Sequence, residues 1–152
     1  MLAKPLEFCR LKLMELTKEQ KNEIKKIGDK YNLKLMIIHG SYATGKARPG
    51  SDLDVAVLGE KPTAFEVLMK IFGELEKVFG NSKERELDVK SLENADALFL
   101  YQVMKDSMLI YGSSFDYWQL KTFAIRNYWD HAPIFKLEEI LLKKYLNQAK
   151  ND

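Results

Sequence analysis

What this chain lacks narrows its class first. It holds one cysteine, Cys9, which excludes a disulfide within the chain and a zinc cage built on cysteine thiolates. No apolar run approaches the roughly 20 residues that a membrane-spanning helix requires. Charge of one sign is not in excess: 24 lysines and arginines stand against 22 aspartates and glutamates, a net charge of +2. A protein that coats DNA or RNA carries a clear basic surplus, so nucleic-acid binding is not favoured. There is no internal repeat and no low-complexity tract. Lys4, Glu7 and Arg10 are scattered through the first residues, unlike a secretory signal, and a cytoplasmic location is expected. What is present suits one globular domain: 152 residues, 46% of them apolar, enough to bury about 70% of the extended surface.

Residues 1–16 are mixed and predict no element. Thr17 and Gln20 form a capping box, and Ile24, Ile27 and Tyr31 recur at helical spacing, predicting a surface helix with one buried stripe. Leu33–His39 (LKLMIIH) reads as a strand entering the core and stops at Gly40-Ser41. Leu53–Leu58 (LDVAVL) is a second strand, and Gly59–Pro62 is a turn. Thr63 and Glu66 pattern as another capping box, opening a helix that Gly80 closes. Glu86–Lys90 alternates as a third strand, and Asn94 is placed as the cap of a helix through Leu98, Tyr101 and Met104. Met108–Tyr111 is a short strand or an extended end before Gly112. The fold class is α/β (α+β). Residues 1–112 are read as the core domain and 113–152 as a C-terminal helical extension. In that extension Phe115–Trp129 is dense in aromatics, and Pro133 starts a final helix.

The segment IHGSYATGKARPGSDLDVAVL, Ile38 to Leu58, carries the chemistry. A strand ends in Gly40-Ser41, and the next residues can start a helix. Glycine lets a phosphate approach the backbone, N–H groups at a helix start favour an anion, and the Ser41 hydroxyl adds a donor. After ten intervening residues come Asp52 and, two further on, Asp54. Positions i and i+2 of a strand share a face, so both carboxylates point one way, while Leu53, Val55 and Val57 face the core. Asp88 lies on the polar side of another alternating segment, with Glu86 as a competing carboxylate.

Like charges side by side destabilise a fold, and a divalent cation removes that penalty. Mg²⁺ takes oxygen ligands and is commonly held by one or two carboxylates plus substrate phosphates. A third carboxylate lets two ions bind roughly 3.5–4 Å apart and clamp an in-line displacement at phosphorus. On this reading Gly40 and Ser41 hold a triphosphate, and Asp52 and Asp54 hold the metals bridging it. Asp88 holds the metal that activates the attacking hydroxyl, or takes its proton. Lys46 and Arg48, in the intervening loop, either reach phosphate oxygens or are surface charges. His39 is read as packed or turned from the cradle, and Lys90 as a solvated lysine.

Gly-Ser, ten residues, Asp-x-Asp and a later strand carboxylate together resemble the signature of the DNA polymerase β-like nucleotidyltransferase superfamily. The short chain is similar to its minimal nucleotidyltransferases (MNT) over residues 17–112. The resemblance implies a small mixed β-sheet flanked by helices and a Mg²⁺-dependent transfer of AMP from ATP to a hydroxyl, with release of pyrophosphate. Many minimal members are encoded beside a HEPN-domain protein and act as its antitoxin, some by attaching AMP to a tyrosine of that ribonuclease. The implied acceptor is therefore a tyrosine of a HEPN toxin. The implied assembly is a homo-oligomer or a hetero-oligomer with the toxin.

Other readings stand beside this one. A small-molecule hydroxyl, such as an aminoglycoside, usually needs a second domain to shape its pocket, and 152 − 112 = 40 residues remain after Gly112. A non-catalytic antitoxin would neutralise by covering its toxin. An RNA-end nucleotidyltransferase would want a basic track. Arg126 and His131 are spaced like the Arg-x4-His motif of HEPN ribonucleases, a gap that common residue types reach by chance. Phe115, Tyr117, Trp118, Phe123, Tyr128, Trp129 and Phe135 are read as core, with some left for a partner surface.

Overall fold

The structure is a computed structural model and describes residues 14–150. Helix α1 (Lys18–Lys30) begins at the reciprocal box: Gln20 N–H donates to the Thr17 hydroxyl, and Thr17 N–H donates to Gln20 Oε1. Strand β1 (Leu33–His39) and a single helical turn, α2 (Ser41–Thr44), follow. Then come β2 (Leu53–Gly59), α3 (Phe65–Phe79), β3 (Leu87–Ser91), α4 (Ala97–Lys105), β4 (Ser107–Gly112) and α5 (Ser114–Ala149).

The strands form one mixed sheet in the order β3-β2-β1-β4. β1 runs antiparallel to β2 and β4, whereas β2 and β3 are parallel. Helices cover both faces. On one, Met36, Ile38, Leu53, Val55 and Val57 pack on Ile24 and Ile27 of α1 and on Ile71, Leu75 and Phe79 of α3. On the other, Leu35, Ile37 and Ala56 pack on Leu100, Val103 and Met104 of α4 and on Tyr117 and Ala124 of α5. β1 is buried on both sides, which is why its sequence is an apolar run rather than an alternation. Leu33 joins the α1/α3 core although Leu35 joins the other. A register irregularity between them reverses the alternation.

Three local expectations are corrected. The Thr63/Glu66 box does not form: α3 is capped at Ala64 with no side-chain bond. Thr63 instead donates its N–H and its hydroxyl to the Glu93 carboxylate, at 2.5 and 2.8 Å. A charged acceptor reached through the fold outcompetes the local one. Asn94 does not cap α4; it turns through φ 57°, and Asp96 accepts the Phe99 N–H at 2.8 Å. Asp96→Ala is expected to cost about 1 kcal/mol, read as a lower urea midpoint at constant slope.

Pro133 does not start a helix but lies inside α5. A proline there removes a ladder bond, yet aromatic packing spans it. Tyr128 stacks on Tyr101 of α4, with ring centres 4.1 Å apart, and on Phe135 beyond the proline, at 5.8 Å. Of the aromatics in α5, Tyr117 is core, whereas Phe115, Trp118 and Trp129 are exposed.

Candidate active site

The strand registers collect the polar residues into one row. Asp88 of β3 lies opposite Asp54 of β2, Asp54 opposite His39 of β1, and His39 opposite Ser107 of β4. Register partners share a face of the sheet, so this row lies on the α4/α5 side, at the end where β2 begins. Asp54 is half-buried, while Asp52 precedes the strand and is exposed. Glu86 precedes β3, and its carbonyl accepts the Leu53 N–H at 2.8 Å.

The Gly-Ser turn abuts this row. Gly40 adopts φ 72° and ψ −146°, a conformation that is essentially glycine-only. A Cβ there would sit 2.8 Å from Asp54 Oδ2. Ala43 and Thr44 N–H groups both donate to the Gly40 carbonyl at 3.2 Å. The N–H groups of Ser41 and Tyr42 therefore lie ahead of the helical ladder, available to an acceptor. The loop beyond is pinned by its backbone. Lys46 N–H donates to the Ser41 carbonyl, Arg48 N–H to the Ser51 hydroxyl and Gly50 N–H to the Glu84 carbonyl, each at 2.9 Å. The Lys46 and Arg48 side chains are exposed.

Burial raises the Asp54 pKa above the usual carboxylate range, and the neighbouring Asp88 raises it further, against an opposing pull from Lys90. Lys90 is exposed to solvent, as expected, and its Nζ also lies 2.8 Å from Asp88 Oδ2. That hydrogen bond raises the Lys90 pKa. The i, i+2 rule that paired Asp52 with Asp54 also places Lys90 beside Asp88, and that signal was present in the sequence. His39 packs as expected, but within the carboxylate row. Its Nε2 is buried without a hydrogen-bond partner, and burial, then Lys90, lowers its pKa against the pull of Asp88.

Among the described residues, no three histidine, cysteine, aspartate or glutamate side chains close around a common point. Asp54 and Asp88 nevertheless form an all-oxygen donor pair, and the Asp54 carboxylate is disfavoured as an anion until a counter-charge arrives. That suits a hard cation that takes one or two carboxylates and completes its shell with water and phosphate.

Residues 22–116, which contain the whole sheet, match the family described as polymerase beta, nucleotidyltransferase. The chain belongs to this family. It is 30% identical, over 128 residues, to the protein adenylyltransferase MntA of Aphanizomenon flos-aquae (strain 2012/KM1/D3), spanning 76% of this chain and 79% of that one. Its fold is similar to that of a toxin–antitoxin structure with AMP-PNP, at TM-score 0.65 and 21% identity, covering 80% of this chain and 98% of the other. It is also similar to a structure of the tri-AMPylated Shewanella oneidensis HEPN toxin in complex with MNT antitoxin. That match has TM-score 0.61 and 19% identity and covers 82% and 98%.

In this nucleotidyltransferase, Arg126 and His131 do not form a second site with each other. They are five residues apart on α5, which separates their directions by about 140°. His131 Nδ1 is 2.8 Å from the Asn127 carbonyl. No helix among the described residues is long and apolar enough to cross a membrane.

Proposed function

We propose that this nucleotidyltransferase transfers AMP from ATP to a tyrosine hydroxyl of a HEPN-family toxin, and so acts as the antitoxin of that pair. One observation carries the reading: Asp54 and Asp88 meet on adjacent strands beside the Gly40-Ser41 turn. The kinship with a protein adenylyltransferase selects a protein acceptor over a small molecule. ATP is an intracellular substrate, and we place the reaction in the cytoplasm.

The turn offers the Ser41 hydroxyl and the backbone N–H groups of Ser41 and Tyr42 to the triphosphate. Lys46 and Arg48 extend from the adjoining loop as phosphate ligands. Asp52, Asp54 and Asp88 would hold Mg²⁺, with two ions as the full complement. When bound, Mg²⁺ neutralises phosphate charge and makes the acceptor hydroxyl more acidic. The tyrosine oxygen attacks the α-phosphorus of ATP, the bond from that phosphorus to the β-phosphate bridging oxygen breaks, and pyrophosphate leaves. Asp88 would hold the metal that activates the tyrosine hydroxyl, or take its proton.

The test is to incubate the protein with α-labelled ATP, Mg²⁺ and the HEPN protein encoded beside it. Label is expected on a toxin tyrosine, with loss of the toxin's ribonuclease activity. Unlabelled toxin, or Asp52→Asn and Asp54→Asn variants that label like the wild type, overturns the reading.

A further inference from the structure

Asp54 and Asp88 face each other on adjacent strands, and the fold supplies a counter-charge beside them even before a metal arrives. Lys90 lies two positions along β3 from Asp88, on the same sheet face, with its Nζ 2.8 Å from Asp88 Oδ2. Its partner on β2 is Ala56, which is fully buried. No long side chain at that register position competes for the space over the strand pair. The Phe99 ring of α4 lies over the ammonium, 6.0 Å from ring centre to Nζ, a separation at which a cation is attracted to the aromatic face. The lysine is thus held from two sides, by a carboxylate and by a ring.

We propose that Lys90 is an internal counter-ion that occupies Asp88 in the metal-free enzyme and must be displaced by the incoming cation. It thereby sets the metal concentration at which the site assembles. The inference rests on the reading of Asp88 as a metal ligand. An ammonium and a divalent cation compete for the same oxygen lone pairs. A carboxylate bound to lysine is not free to join Asp54 around an ion. Removing the lysine charge leaves Asp88 beside Asp54 with their repulsion uncompensated. The empty site becomes less stable and the loaded site easier to form. Lys90 acts through Asp88 and is a positioning residue.

The experiment is a Mg²⁺ titration of the full-length protein without nucleotide. It is followed by calorimetry and by the shift in melting temperature, so that the readout does not depend on turnover. Lys90→Met is expected to tighten Mg²⁺ binding about tenfold, the change produced by removing a unit charge roughly 5–6 Å from a divalent ion in a well-solvated site. The metal-free melting temperature should fall at the same time. Lys90→Arg keeps the charge and should bind Mg²⁺ like the wild type. Lys90→Gln, neutral but still a donor, should tighten binding too, and it serves if the Met variant does not fold. Unchanged or weaker Mg²⁺ binding by the neutral variants, with Asp88→Asn weakening it, overturns the role of Lys90 alone. Wild-type Mg²⁺ affinity in Asp88→Asn removes Asp88 from the ligand set, and this inference falls with it.

Discussion

Asp54→Asn is expected to lower AMP transfer by about a thousandfold or more while raising the melting temperature of the metal-free protein. The loss of rate corresponds to about 4 kcal/mol, the scale of charge stabilisation that a bound metal supplies at a phosphoryl group. The gain in stability follows from the environment of the carboxylate. Burial, and then Asp88, holds the Asp54 pKa above its ordinary value. A carboxyl group with a raised folded-state pKa stabilises the fold below its unfolded pKa, and that contribution is lost as pH rises through the folded pKa. Ionising the half-buried Asp54 beside Asp88 costs stability that the neutral amide does not lose. The melting-temperature advantage of Asp54→Asn should be widest above the carboxylate range and close as pH falls through it. Melting curves against pH without metal, with label-transfer rates at saturating Mg²⁺, measure both halves. An Asn variant that transfers label normally, or an advantage that grows on acidification, contradicts this account.

Gly40→Ala is expected to damage fold and activity together. The backbone at Gly40 has φ 72° and ψ −146°, and forcing a side chain into that region costs about 1–3 kcal/mol. The new Cβ would also meet Asp54 Oδ2 at 2.8 Å, closer than a carbon and an oxygen approach without displacement. Relief requires either the carboxylate or the turn before α2 to move, and both belong to the proposed nucleotide site. Chemical denaturation should show a lower midpoint, and label transfer should fall at least tenfold even at temperatures where the variant is fully folded. Wild-type stability and rate together would show that the turn and the carboxylate are not coupled.

The chain's local patterns carried much of this fold. The Thr17/Gln20 box, the apolar run of β1 and the Gly80 stop are encoded within a few residues, and each formed where its chemistry placed it. Thr63 forms no box because a partner outside the window won, whereas Asn94 yields the cap to a neighbour two residues on. Glu93, thirty positions away, took both donors of Thr63, and Asp96 was the better-placed cap. Pro133 was misread for a related reason: Tyr101, from another helix, holds the aromatic stack that carries α5 past it.

The same division runs through the site. The sequence alone determined that Gly40-Ser41 ends a strand and that Asp54 begins the next one beside Asp52, since alternation and turn chemistry act over neighbouring residues. Only the tertiary structure decided that Asp88 faces Asp54, because a parallel pairing of β2 with β3 joins residues distant in the chain and its register is set by the two cores. It also placed His39 in the same row and closed the Lys90 ammonium onto Asp88. Those contacts depend on which strands become neighbours, and strand neighbours are chosen by the burial of whole faces rather than by any short stretch of residues.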